Sequence, residues 1–225
     1  MTTGLPDWLA LILAFVYVFV AIGLGELLRR SLHLSQGFTR KFIHIAVGMI
    51  SIPTVLMFKS LYWAIIPPLA FVVINYLDYR FGLIQAMMSS NRSNLGTVYF
   101  PISFAVILVL FWGNPSAPAT HPHLIVAALM PMTWGDALAA VVGERIGRHR
   151  YTILGHTRSL EGSFVMLVVS ALATWLALGS LSSSAAYVAI IVACGATLVE
   201  AISPWGIDNL TVPAVSALIL ALMRM

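Results

Sequence analysis

Charge is what this sequence lacks. Only 9% of its 225 residues are Asp, Glu, Lys or Arg, against 60% hydrophobic, whereas a soluble globular chain carries about 25% charged residues. Mean hydropathy is +0.96, so lipid is the natural solvent. No hydrophilic stretch is long enough to build a separate soluble core, and a single membrane-embedded domain over residues 1–225 is expected. One cysteine, Cys194, lies in an apolar run; it cannot form an internal disulfide and reads as a small buried apolar residue. No repeat of 20 to 50 residues is visible and Ser182-Ser183-Ser184 is too short for a linker. GxxxxGK[ST], HExxH and GxSxG are all missing. The first apolar run is too long for a signal-peptide core and no A-x-A site follows it, and no Arg- and Ser-rich transit peptide precedes it, which favours a bacterial membrane.

What is present is a series of apolar runs. A bilayer core of about 30 Å needs about 20 helical residues, and eight runs qualify or come close: Trp8–Leu28, Ile43–Phe58, Ser60–Leu77, Thr97–Gly113, His123–Val142, Gly162–Ser180, Ala185–Ser203 and Leu210–Met223. The second and the last are short, so seven spans is the alternative. The fold expected is an all-α, polytopic helix bundle. Arg29, Arg30, Arg40 and Lys41 occupy the first loop, Arg80 and Arg92 the third, and Arg145, Arg148, Arg150 and Arg158 the fifth, while the even loops hold only Lys59. By the positive-inside rule the odd loops are cytoplasmic and the N-terminus is outside. This distribution accounts for the net charge of +4 without nucleic acid as a partner.

One acid lies deep inside a span. Asp136 lies six residues before Val142, about 9 Å deep at 1.5 Å per residue, and an intramembrane carboxylate needs a metal, a partner charge or a polar cavity. It marks either a functional site or a structural ion pair, for which Arg40 is the candidate partner. Ala139, Ala140, Gly143 and Gly147 share its helix face. A face so bare serves either close helix packing or the approach of phosphates to the backbone. Beyond it, four arginines flank Gly155 and lead into Thr157-Arg158-Ser159-Leu160-Glu161-Gly162-Ser163. Ser159 is placed to cap the sixth helix, whose positive end suits an anion, and Glu161 suits that dipole or a metal; topology alone is the competing reason for the arginines.

Arg40 and His44 are one turn apart at the start of the second span. Arg40 and Lys41 fit an interfacial anchor as well as a phosphate contact, while His44 sits a turn deeper. Asn91-Arg92-Ser93-Asn94-Leu95-Gly96-Thr97 precedes the fourth span, and Glu200 with Asp208-Asn209 brackets the seventh loop, where Asp208 or Asn209 also suits a helix cap. Glu26 has the spacing of a helix-surface pair with Arg29 and Arg30. His121-Pro122-His123 lacks a third ligand and is set aside as a zinc site.

Asp136-x-x-Ala139-x-x-x-Gly143-x-x-x-Gly147, followed by Arg158-Ser159-x-Glu161-Gly162, resembles the CTP-dependent polyprenol and lipid kinases, a family that includes phytol, farnesol and dolichol kinases. Arg40-Lys41-x-x-His44, Gly96-Thr97 with Pro101, and Glu200 with Asp208-Asn209 before Val212-Pro213 extend the resemblance from about Arg40 to Pro213. It departs where Arg158 replaces the family's frequent lysine, keeping the charge without the compact ammonium. The resemblance implies a nucleotide donor, usually CTP but open to another nucleoside triphosphate, Mg²⁺ and a membrane-dissolved isoprenoid alcohol acceptor such as phytol, geranylgeraniol or farnesol. On it, Asp136, Glu161 and Asp208 are the expected catalytic and metal-binding acids. Ala139, Gly143, Gly147, Arg148, Arg158, Ser159, Gly162, Arg40 and Lys41 hold the nucleotide, and His44, Asn94, Glu200 and Asn209 face the acceptor. A phosphatidate cytidylyltransferase is the closest alternative, disfavoured because only Asp208-Asn209 is found where that class carries paired Asp and His-Gly-Gly. A transporter, which needs its polar residues at the midplane, is the third.

Overall fold

A computed structural model of the chain describes residues 4–84, 94–179 and 183–223; Asn91, Arg92, Ser93, Ser182 and the side chain of Ser183 lie outside that set. The apolar runs fold as helices. Six stretches are long and apolar enough to cross a membrane: α1 (Asp7–Ser31), Gln36–Met57, Leu61–Phe81, Pro122–Ile146, Leu160–Ala177 and Ser184–Ile202. Two shorter helices, Gly96–Phe111 and Asp208–Leu222, complete the eight. The chain is therefore a multi-pass membrane protein. Its surface is correspondingly inverted: Leu24 and Leu27 on the first helix, Leu172 and Leu176 on the sixth, and Ile190 and Leu198 on the seventh all stand exposed, a burden that only lipid removes from water.

Local chemistry sets where each helix starts, bends and stops. The second span begins at Gln36, earlier than the expected Ile43, because Ser35 caps it by accepting from the Phe38 amide at 3.3 Å. Its polar first turns, with Arg40 and Lys41, continue the helix rather than precede it. The span is interrupted between α2 (Gln36–Gly48) and α3 (Ser51–Met57), where Pro53 has no N–H to give to Met49 and Ile52 bonds there instead, at 3.2 Å. The third span is α4 (Leu61–Ala64) and α5 (Ile66–Phe81), with Pro67 and Pro68 in a first turn that needs no N–H from them. The fourth helix, α6 (Gly96–Phe111), is tied to the last when Ser103 Oγ donates to the Asn209 carbonyl at 2.8 Å.

The fifth span is the most enclosed of the six. It runs as α7 (Pro122–Met130), a π-helical turn (Pro131–Asp136) and α8 (Ala137–Ile146). Pro131 cannot join the ladder, and the widened turn that follows re-aims Asp136. A hairpin comes next, not read from the sequence: β1 (Arg150–Ile153) pairs antiparallel with β2 (His156–Ser159), matching Arg150 to Ser159 and Ile153 to His156. Leu154 and Gly155 turn it with φ of 49° and 78°, the positive values that a two-residue hairpin turn requires. Helix α9 (Leu160–Ala177) starts on the expected cap, Ser159 Oγ accepting from the Gly162 amide at 3.0 Å. It packs on α8 and on α10 (Ser183–Ile202), which packs on α11 (Asp208–Leu222). Cys194 is exposed on α10, not buried; an apolar residue in a span is equally at home against lipid.

The glycines on the bare face of α8 pack against the start of α9, while Ala140 lines a cavity on its other side. A β-carbon on Gly147 would meet Ser159 Oγ at 2.6 Å and would also run into the Gly143 carbonyl, and one on Gly162 would sit 3.0 Å from the Ala139 carbonyl. Overpacking of this kind costs about 1 to 3 kcal/mol. Gly147→Ala is therefore expected to lower the unfolding midpoint in detergent, whereas Gly23→Ala, with nothing within 4 Å, leaves it unchanged or raises it.

Candidate functional site

Five charges from five parts of the chain meet below the polar ends of the helices. The Lys41 ammonium of α2 lies 2.6 Å from Asp136 Oδ2. Arg158 of β2 reaches Glu200 Oε1 at the end of α10 with Nη1 at 2.6 Å, and Asp208 Oδ2 at the start of α11 with Nη2 at 3.3 Å. The same Nη2 donates to the Ser203 carbonyl at 3.1 Å, so one guanidinium pins both ends of the loop between the last two helices. Burial works against the Arg158 charge, but Glu200, Asp208 and Asp136 more than offset it and raise its pKa.

Asp136, Glu200 and Asp208 are each buried, and each offers a carboxylate oxygen within 4.8 Å of the others. Two such charges repel by about 3 kcal/mol at an effective dielectric of about 20. Lys41 and Arg158 offset part of that repulsion, and three carboxylates against two cations leave the cluster one charge short of neutral. Clustered, buried carboxylate oxygens with residual negative charge form the donor set of a hard divalent cation.

The cluster opens into a cavity of about 470 Å³ with two unlike ends. Arg40, Lys41, Asp136, Arg158, Asp208 and Asn209 line the polar end, with Asn94, Thr97, His156, Thr157 and Trp205 around it. The apolar end runs between α1, α2, α5 and α6, along Val18, Ile22, Ile43, Val47, Phe71, Phe100 and Phe104. His44 stands between the two, its Nε2 donating to the Met132 carbonyl in the π-helical turn at 2.9 Å and its ring 5.3 Å from that of Phe100.

The residues expected from the sequence divide into two groups. Arg40, Lys41, His44, Asn94, Asp136, Arg158, Asp208 and Asn209 line the cavity, and Glu200 joins the carboxylate cluster. Lys41, not Arg40, is the partner of Asp136; it lies three residues from His44, so its helix face was as legible as that of Arg40. Asp208 is the first residue of α11 and Ile207 its N-cap; the Asp208 Oδ1 takes both the first-turn amide and the side-chain N–H of Asn209 at 2.9 Å while Oδ2 turns to Arg158.

The second group lies apart from the cavity. Glu161 holds the His149 amide at 3.2 Å and its ring Nδ1 at 2.8 Å, beside a shallow depression on the outer side of α8 and α9. The hairpin carries Arg158 inward while leaving Glu161 outside, and Glu200 completes the carboxylate cluster where Glu161 was expected. Ala139, Gly143, Gly147, Ser159 and Gly162 are spent on the α8–α9 contact, and Arg148 is exposed. His156, Trp205 and Glu144, which the sequence did not single out, do line the cavity; the aromatic residue beside the turn glycine Gly206 was the signal available for Trp205. Glu26 pairs with Arg29 and Arg30, both at 2.6 Å, away from this site.

No established family profile matches the chain, and no solved structure matches it. Curated relatives do. A phytol kinase from Synechocystis is 32% identical over 96% of this chain and 92% of its own length. A probable chloroplastic phytol kinase 1 from Glycine max is 30% identical over 64% of this chain and 48% of its own length. A probable chloroplastic phytol kinase 2 from Oryza sativa is 29% identical over 86% of this chain and 68% of its own. With a likeness that spans nearly all of both chains, and with the paired charges and two-ended cavity described above, this chain belongs to the phytol kinase family.

Proposed function

We propose that the protein transfers the γ-phosphate of a nucleoside triphosphate, CTP by its resemblance to the CTP-dependent kinases, to the hydroxyl of a membrane-dissolved isoprenoid alcohol of the phytol, geranylgeraniol or farnesol class. The observation that carries this reading is the two-ended cavity, in which a cluster of acids and cations opens directly into an apolar channel between helices. A prenyl tail in that channel holds its hydroxyl at the carboxylates. The names of the relatives point the same way.

Phosphoryl transfer asks for positioned charge more than for a nucleophilic side chain. Lys41 and Arg158, with Arg40 at the rim, supply cations to the triphosphate, and Asn94 and Asn209 supply polar contacts beside it. The alcohol oxygen attacks the γ-phosphorus, the bond to the β–γ bridging oxygen breaks, and a nucleoside diphosphate leaves. The hydroxyl proton passes to a carboxylate of the cluster, for which Asp136, on the cavity wall, is the candidate. Asp136, Glu200 and Asp208 suit Mg²⁺ by oxygen chemistry, burial and spacing. Held there, the ion would neutralise charge on the phosphate oxygens. His44, fixed by its bond to Met132, stands where the tail meets the polar end and orients the hydroxyl. The positive-inside asymmetry supports a cytoplasmic mouth for this cavity and an external N-terminus.

Purified protein supplied with CTP labelled at the γ or the α position, and with phytol or phosphatidate, is expected to move γ label into phytol. Transfer of α label into a CDP-lipid would instead make it a cytidylyltransferase, and solute uptake into liposomes without either transfer would make it a transporter. Asp136→Asn is expected to reduce turnover about 100-fold or more, while Glu161→Gln stays near the native rate. For orientation, cysteines placed at exposed His33 and Ser116 in a Cys194→Ser background are expected to differ in intact cells. A membrane-impermeant thiol reagent should label position 116 and spare position 33.

A further inference from the structure

The loop between α10 and α11 carries an aromatic side chain in an unusual posture. Trp205 has φ of 51°, a region that bulky residues leave unless their surroundings impose it. Here they do. Gly206, with φ of 82°, is pressed against the backbone of Gly96 and the side chain of Asn94 so closely that a β-carbon would lie 2.7 Å from the Gly96 nitrogen. On the other side, Arg158 ties the Ser203 carbonyl. The loop is thus clamped at both ends, and the side chain it holds out is not packed away: Trp205 is 51% exposed while lining the cavity. Its ring meets the His156 ring edge-on, with centroids 5.6 Å apart and planes at 83°.

Geometry connects this pair to the phosphate end of the site. His156 and Arg158 are two residues apart on β2, so their side chains leave the same face of the strand, about 7 Å apart along it. His156 and Trp205 therefore lie within reach of the nucleoside end of a triphosphate held by Arg158 and Lys41. We propose that Trp205, braced by His156, is the stacking platform for the nucleobase of the donor nucleotide. The proposal rests on the nucleotide-dependent reading above and adds to it the residue that holds the base. A flat indole stacks on any nucleobase, so the platform supplies affinity for the nucleoside and leaves the choice of base to other contacts. An exposed tryptophan at a membrane boundary also serves as an interfacial anchor, and the experiment separates the two roles.

Equilibrium binding of CTP and of inorganic tripolyphosphate to the purified, detergent-solubilised protein distinguishes base from phosphate recognition. Trp205→Ala is expected to weaken CTP binding roughly tenfold, the order of one stacked base, with tripolyphosphate binding unchanged. Trp205→Phe, which keeps a ring, should recover most of the loss. Trp205→Leu, which keeps apolar character for the interface, should not. Unchanged CTP binding in Trp205→Ala overturns the platform alone, as does an equal loss for both ligands or full recovery by leucine. Absence of any CTP binding by the native protein overturns the nucleotide-dependent reading with it.

Discussion

The rest of the structure depends on keeping the Asp136 carboxylate charged inside a membrane span. An ion removed from water costs several kcal/mol even after relaxation, and the bilayer offers nothing to offset that cost. Lys41 meets the carboxylate from the second span at 2.6 Å, and Arg158 balances Glu200 and Asp208 beside it. These partners come from α2, β2, α10 and α11. Neutralising one residue thus fixes the relative positions of elements scattered along most of the chain. The hairpin has a place in this arrangement, since without it Arg158 would follow α8 outward with Arg148.

Between the helices, apolar burial gives little direction, because lipid is as good a solvent for leucine as another helix. Close packing and polar contacts take over. The Gly143, Gly147 and Gly162 contact brings α8 against the start of α9. Ser103 joins α6 to the carbonyl of Asn209. Ser216 returns its hydroxyl to the Val212 carbonyl of its own helix at 2.8 Å, where Pro213 disturbs the ladder. Such contacts leave gaps between α1, α2, α5 and α6, and the apolar end of the cavity lies in one of them.

The two ends of that cavity describe a division of labour. Its polar end is cross-linked, with Arg158 bonded to Ser203 and Asp208, and Asp208 to Asn209. The apolar end is lined by hydrocarbon and aromatic side chains, Val18, Ile22, Phe71 and Phe104 among them, that offer no hydrogen-bonding group. His44, bonded to the π-helical turn and with its ring tilted against that of Phe100, sits at the boundary, where an amphipathic acceptor would change from tail to head.

Hydropathy and charge order determined the eight helices, the concentration of basic residues on alternate loops, and the need of Asp136 for a partner, because each follows from the cost of placing a residue in lipid. Ser159 as a helix cap was equally legible, being a contact between near neighbours. Tertiary structure alone decided that Glu200 joins Asp136 and Asp208 while Glu161 turns to His149, that Lys41 and not Arg40 meets Asp136, and that the glycine face of α8 receives α9. Periodicity places a residue on a face of its own helix; it says nothing of the rotation or depth of the helix opposite. The π-helical turn at Pro131 and the hairpin at Leu154-Gly155 change those rotations by single residues, and it is they that bring distant charges within reach of one another.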